Sequence, residues 1–161
     1  MKTSSKSFKI LIALAVISVA AMVLTLCLTG NKTAKFSPPP FEAAAIAGTP
    51  TVPAELGYGE LWQEGMTYRF SVCGNVRMHG REAAVYFTNP SVNVAWLKLR
   101  VYSESGELLG ETGLIKPGEY VENVTLSKEP AVGTKIVLKI MGYEPETYHS
   151  TGAVTLKTSI S

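Results

Sequence analysis

The sequence predicts an all-β fold, an antiparallel β-sandwich of about seven strands behind one transmembrane helix and a Pro-rich linker. Three observations predict it. Ile10 to Leu28 is a run of 19 residues without a charge. Gly30 to Gly57 holds five prolines. From about Gly65 onward, apolar and polar residues alternate with the period of two that marks half-buried strands.

A helix rises about 1.5 Å per residue, so the uncharged run covers roughly 30 Å, the thickness of a bilayer core. Its backbone groups are satisfied internally, as hydrocarbon requires. A cleaved signal peptide competes with this reading, but such apolar regions usually run about 7–15 residues and end at small residues. Here Leu28 precedes the candidate cut after Gly30 by two positions, and Leu26 stands where a lipoprotein cut before Cys27 needs a small residue. A retained signal-anchor over 10–29 is expected, with Cys27 as an apolar residue of the helix. Lys2, Lys6 and Lys9 precede it, while Lys32 and Lys35 follow. The bias predicts a cytoplasmic basic tail over 1–9 and a single-pass cell-membrane protein with its C-terminal domain outside. The bilayer is thus the first expected partner, through the N-terminal helix.

The linker over 30–57 contains Pro38-Pro39-Pro40, Pro50, Pro53 and a run of small residues, which favour an extended tether. Residues 58–161 are then one exported domain. They carry 10 Lys and Arg against 11 Glu, a balance near −1 with no dense basic patch. Nucleic acid is therefore not an expected partner. No Asp occurs anywhere, which removes the usual calcium loop. Cys73 is the domain's single cysteine, so no disulfide within it is expected, and an inert thiol is the expected state.

The strands follow in order. Tyr68, Phe70 and Val72 share one face of the first; Ala83, Val85 and Phe87 of the second. Ala95, Leu97, Leu99 and Val101 line the third, with Trp96, Lys98, Arg100 and Tyr102 on its other face. Leu108 to Ile115 is a weaker fourth, interrupted by Gly110 and Gly113. Tyr120, Val124 and Leu126 mark a fifth, Ile136, Leu138 and Ile140 a sixth, and Val154, Leu156 and Ile160 the last. Ser103-Glu104-Ser105-Gly106 reads as a hairpin turn, with Gly supplying positive φ. Lys116-Pro117-Gly118-Glu119 fits a type II turn, where Pro presets φ and Gly accepts φ > 0. Asn89-Pro90 and Glu129-Pro130 punctuate two further breaks. Short strands and turns at this spacing argue for a sandwich.

The stretch Thr88-Asn89-Pro90, then Trp96-Leu97-Lys98-Leu99, then Gly110-Glu111-Thr112-Gly113-Leu114-Ile115-Lys116-Pro117-Gly118-Glu119, with Gly133, resembles a group of small, single-pass surface proteins of Firmicutes. The resemblance covers roughly residues 80–160 and the layout of anchor and linker. It implies an immunoglobulin-like exterior domain, and it brings no site residues with it. The turn is also similar to turns of adhesion-type and fibronectin-like modules, where it serves structure.

Catalytic patterns are absent from the sequence. Two histidines, His79 and His149, fall short of a zinc set. Cys73, Met78 and His79 stand in the wrong order for a blue-copper site, so no metal and no cofactor are expected. No G-x-S-x-G nucleophile elbow occurs. Glu104, Glu107 and Glu111 cluster at one hairpin, and Glu144 and Glu146 flank Pro145, as solvated charges. Residues 153–161 lack the Asn that an isopeptide cross-link to Lys would use. No enzyme is expected.

What remains is surface. Trp96, Lys98, Arg100 and Tyr102, joined by Tyr86 from a neighbouring strand, form a candidate binding surface; aromatics beside Arg and Lys are typical of contact sites. The competing reading packs this face against other structure. Tyr143, Tyr148 and His149 form a candidate binding loop. The expected role is non-catalytic binding or structure at the cell surface, with a protein or surface-polymer partner, accessory to an adhesion assembly. A minor component of an envelope secretion or conjugation machine, docking through a sheet edge, is the alternative.

Overall fold

The computed structural model describes residues 5–28 and 36–161, without the side chains of residues 5–7, 11, 13 and 23–28. The chain divides into two units, residues 1–37 and 38–161. Residues 1–4 of the expected basic tail and 29–35 of the expected linker lie outside the described residues, as does the side chain of Cys27.

In the first unit, α1 (Ser5–Leu28) is a helix of 24 residues. Every described side chain on it is exposed, including Phe8, Ile10, Leu14, Ile17 and Met22. Among the described residues, no helix is long and apolar enough to cross a membrane. The uncharged run includes eight positions, 11, 13 and 23–28, whose side chains fall outside that set. The expected signal-anchor therefore rests on the sequence alone.

The second unit is two antiparallel sheets around one core. The first has the order β1 (Ile46–Ala47), β8 (Glu119–Thr125), β5 (Glu82–Asn89), β3 (Phe70–Cys73), β2 (Tyr58–Leu61), with β4 (Arg77–His79) also on β5. The second has the order β10 (Ser150–Ser159), β9 (Lys135–Tyr143), β6 (Trp96–Ser103), β7 (Leu108–Glu111). The expected inward residues meet between them: Tyr68, Phe70, Val72, Ala83, Val85, Phe87, Ala95, Leu97, Leu99, Val101, Leu126, Ile136, Leu138, Ile140 and Ile160 belong to one buried cluster. Period-two alternation places them there because one face of each sheet must leave water.

Both turns form as expected. Gly106 has φ 88° at the β6–β7 hairpin and Gly118 has φ 81°, while the Glu119 N–H donates to the Lys116 carbonyl at 3.1 Å.

Three expectations change. Among the described residues ten strands form rather than about seven, because β1, β2 and β4 are short segments without readable alternation. In β8 the inward residue is Val121, not Tyr120. The pairing with β5 slips between Ala84 and Phe87, a bulge at Val85 and Tyr86, and bulges add twist that puts the alternation of paired strands out of step. Finally, residues 38–57 are not a free linker. The Glu42 N–H donates to the Leu114 carbonyl at 2.9 Å, the Leu114 N–H to the Pro40 carbonyl at 2.8 Å, β1 pairs with β8, and Leu56 is buried. Prolines extend a chain, and an extended chain can add to a sheet edge wherever donors and acceptors align.

Candidate binding face

The β6 strand decides the face. Leu97, Leu99 and Val101 fill the core, so Trp96, Lys98, Arg100 and Tyr102 stand on the opposite side of the second sheet. They are not a bare stripe. Lys98 is 4% exposed, and its Nζ donates to Glu111 Oε1 at 2.8 Å. Arg100 Nε donates to Glu111 Oε2 at 2.7 Å. Strand pairing makes this geometry: Arg100 lies directly opposite Glu111 on β7. One carboxylate thus bridges two cations.

The electrostatics follow. Burial alone raises the Glu111 carboxyl, but hydrogen bonds from Lys98 and Arg100 outweigh it and hold the group below its ordinary value. Burial alone lowers Arg100, yet its bonds with Glu111 and Tyr102 raise it. The Tyr143 phenol is pushed up, chiefly by burial. Glu111 therefore stays ionised and Arg100 stays charged.

At one end of the face the two sequence candidates become one. Trp96 pairs with Tyr143 across the sheet. Its ring meets Tyr148 edge-on at 5.4 Å and Phe41 edge-on at 4.8 Å, and Lys116 Nζ sits 4.7 Å from the Phe41 ring. Tyr148 reaches Trp96 because the β9–β10 loop turns sharply, with Glu146 at φ 66° and Tyr148 at φ 58°. Non-glycine residues hold such φ values only where neighbours impose them. Here the Tyr148 N–H donates to the Glu144 carbonyl at 3.0 Å and the Glu144 N–H to the His149 carbonyl at 2.8 Å. His149 itself is exposed, with Nδ1 3.9 Å from Glu144 Oε2.

At the other end, Lys135, Val137, Lys157 and Ser159 line a shallow hollow of about 450 Å³ together with Glu104. Lys139 stands between, opposite Arg100. Among the described residues, β6, β9 and β10 thus turn outward Lys98, Arg100, Lys135, Lys139 and Lys157, against Glu104 and Glu111. Arg100, Lys135, Lys139 and Lys157 reach solvent, while Lys98 is buried against Glu111.

Tyr86 does not join them. Its strand, β5, lies in the other sheet, because the chain after Asn89-Pro90 crosses between sheets instead of closing a hairpin. Asn89 builds that crossing: fully buried, its Nδ2 donates to the carbonyls of Ala95 and Ile115, both at 2.9 Å. Tyr86 sits at the bulge with φ 46°, on the outer side of the first sheet.

Three residues of the face escaped the sequence reading. Glu111 was grouped with solvated turn carboxylates, Phe41 fell in the linker, and Lys116 was read only as a turn residue. Period-two alternation puts Glu111 on the side of the buried Leu109, and only the bulge at Leu109 turns it to the side of Arg100, so all three depend on tertiary contact. Cys73 is 1% exposed, and burial pushes its thiol up to about 11, so it is the inert thiol expected. Met78 and His79 lie on β4, and among the described residues no three His, Cys or Glu side chains are placed to hold a metal ion.

No family model, curated protein or solved structure matches this chain.

Proposed function

We propose that the protein is a membrane-anchored, cell-surface binding module, with no catalytic role, whose cationic face takes an anionic partner. The partner is an acidic segment of a protein or a charged surface polymer, and the reading places the module in a surface adhesion assembly. The observation that carries it is the excess of outward Lys and Arg on β6, β9 and β10, flanked by Trp96, Tyr143 and Tyr148. Clustered charge of one sign steers an oppositely charged partner, and half-buried aromatics supply contact area at low entropic cost. Lys98 and Arg100 are held in place by Glu111, so the centre of the face is preorganised.

The sandwich is proposed to be immunoglobulin-like. Pairing of β5 with β8 in one sheet, and of β6, β9 and β10 in the other, supports this, since B–E and C–F–G strands partition that way. The uncharged run of 19 residues supports the anchor. The resemblance to single-pass Firmicutes surface proteins is proposed on the same footing. A role in an envelope secretion or conjugation machine draws support from β10, a ten-residue strand at a sheet edge.

Polyglutamate and polyphosphate titrations of the full chain test the binding reading. Binding that weakens with salt, and weakens further in the double variant Lys139→Glu, Lys157→Glu, is expected. No binding to either polymer, or binding indifferent to salt and to the variant, overturns it. Protease treatment of intact cells tests topology: shaving of a C-terminally tagged, membrane-bound chain is expected.

A further inference from the structure

Where β5 passes to β6, apolar side chains stand in water on a rigid base. Val92 is 72% exposed, Val94 81% and Trp62 49%. The residue between the valines turns the other way. Asn93 Oδ1 accepts from the Arg69 N–H at 2.9 Å, and its Nδ2 donates to the Arg69 carbonyl and to Asn89 Oδ1, both at 2.6 Å. With Asn93 tied down on both sides, Val92 and Val94 are held out. Arg69 also lays its guanidinium over Trp62, 5.1 Å from the ring centroid. One residue therefore fixes the valine loop and the indole together. Arg69 is already paired with Glu60 at 3.3 Å, so this tip offers apolar surface rather than net charge.

We propose that this tip enters the interfacial layer of the bilayer. The proposal rests on α1 being a retained anchor. Two observations select lipid as the occupant. Ten peptide steps separate Leu28 from Pro38, which span at most about 36 Å when fully extended. Pro38, where the sandwich unit begins, therefore stays within that reach of the proposed anchor. Phe41, three residues further on, lies at this same end, against Trp96 and Lys116. The composition is also that of an interfacial contact: an indole with a polar edge and a cation beside it, and aliphatic side chains that gain by leaving water. Seating the tip in lipid orients the sandwich and leaves the β6–β9–β10 face free at its side.

Trp62 and Trp96 are the two tryptophans of the chain, so Trp96→Phe leaves Trp62 as the reporter. The full chain, reconstituted in phosphatidylcholine vesicles, is compared with and without acyl-brominated lipid. Trp62 is expected to lose most of its emission to the bromine and to shift blue, equally at low and high salt. Val92→Ser with Val94→Ser is expected to abolish most of that quenching while the chain stays with the vesicles through an alkaline wash. Both sites are exposed, and an unchanged circular dichroism spectrum shows that the variant folds. Trp62 that remains open to aqueous acrylamide and silent to bromolipid, in a wash-resistant chain, overturns the tip contact and leaves the anchor standing. A chain removed by the wash overturns the anchor, and the tip contact with it. A blue shift in detergent that grows with protein concentration, without bromolipid quenching, overturns the proposal in favour of a second copy.

Discussion

Lys98 and Glu111 form one ion pair, yet their removal is expected to have unequal effects. Lys98 is buried and depends on Glu111, whereas Glu111 keeps Arg100 if Lys98 is lost. Glu111→Gln leaves a buried ammonium without a counter-charge and is expected to cost about 1–3 kcal/mol. Lys98→Met replaces that charge by a side chain of similar volume beside Met141 and is expected to change stability by less than about 1 kcal/mol. Urea unfolding of the two variants checks the contrast. The same group sets an acid limit. Because the folded carboxyl lies below its unfolded value, its stabilisation is fully present above the ordinary carboxylate range. It is lost as pH falls through the lowered folded value. Wild type is expected to lose stability there, and Glu111→Gln is expected to show a flatter profile. Parity along β6 made the position of Lys98 legible in the sequence. Its partner was not, because which strand lies beside β6, and in what register, is a tertiary fact.

At the scale of elements, the β9 strand carries a glycine that its neighbours demand. A Cβ on Gly142 would lie 2.5 Å from Tyr68 Cε1, since the Tyr68 ring crosses the strand there to bond the Ile140 and Gly152 carbonyls at 3.1 and 3.2 Å. Gly142→Ala is expected to destabilise by about 1–3 kcal/mol through overpacking, measured as a lower urea midpoint at unchanged slope. Gly113 is similar: a Cβ there would meet the Glu42 N at 2.5 Å. In the sequence Gly110 and Gly113 read as interruptions of a weak strand. In the fold Gly113 is the place where the incoming chain passes closely. Strands with clean alternation, β5, β6 and β9, were legible because burial on one face imposes the period. β1, β2 and β4 were not, because two to four residues at an edge need no such pattern.

For the whole molecule, the boundary of the sandwich has a measurable consequence. Leu114 is fully buried beneath the segment that brings Pro40 and Glu42 alongside it. The Glu42 carboxylate accepts from the Gly113 N–H at 2.6 Å. A fragment of residues 58–161 loses these bonds and β1. It is expected to be roughly 2–4 kcal/mol less stable than a fragment of residues 38–161, through lost backbone pairing and exposed Leu114. Thermal unfolding of the two fragments decides this, and equal midpoints would return residues 38–57 to the role of linker.

Alternation and turn chemistry by themselves determined that this chain makes an all-β sandwich, which side chains of β3, β5, β6 and β9 fill its core, and where Gly106 and Gly118 bend it. These are local consequences of the two-residue period and of φ > 0, and they need no knowledge of neighbours. Tertiary structure alone decided that Tyr86 belongs to the other sheet, that residues 38–57 join the fold, and that Trp96 meets Tyr148 and Phe41 while Glu111 bridges Lys98 and Arg100. Each of these depends on which strands pair across long stretches of chain, and pairing is settled by the packing of the whole.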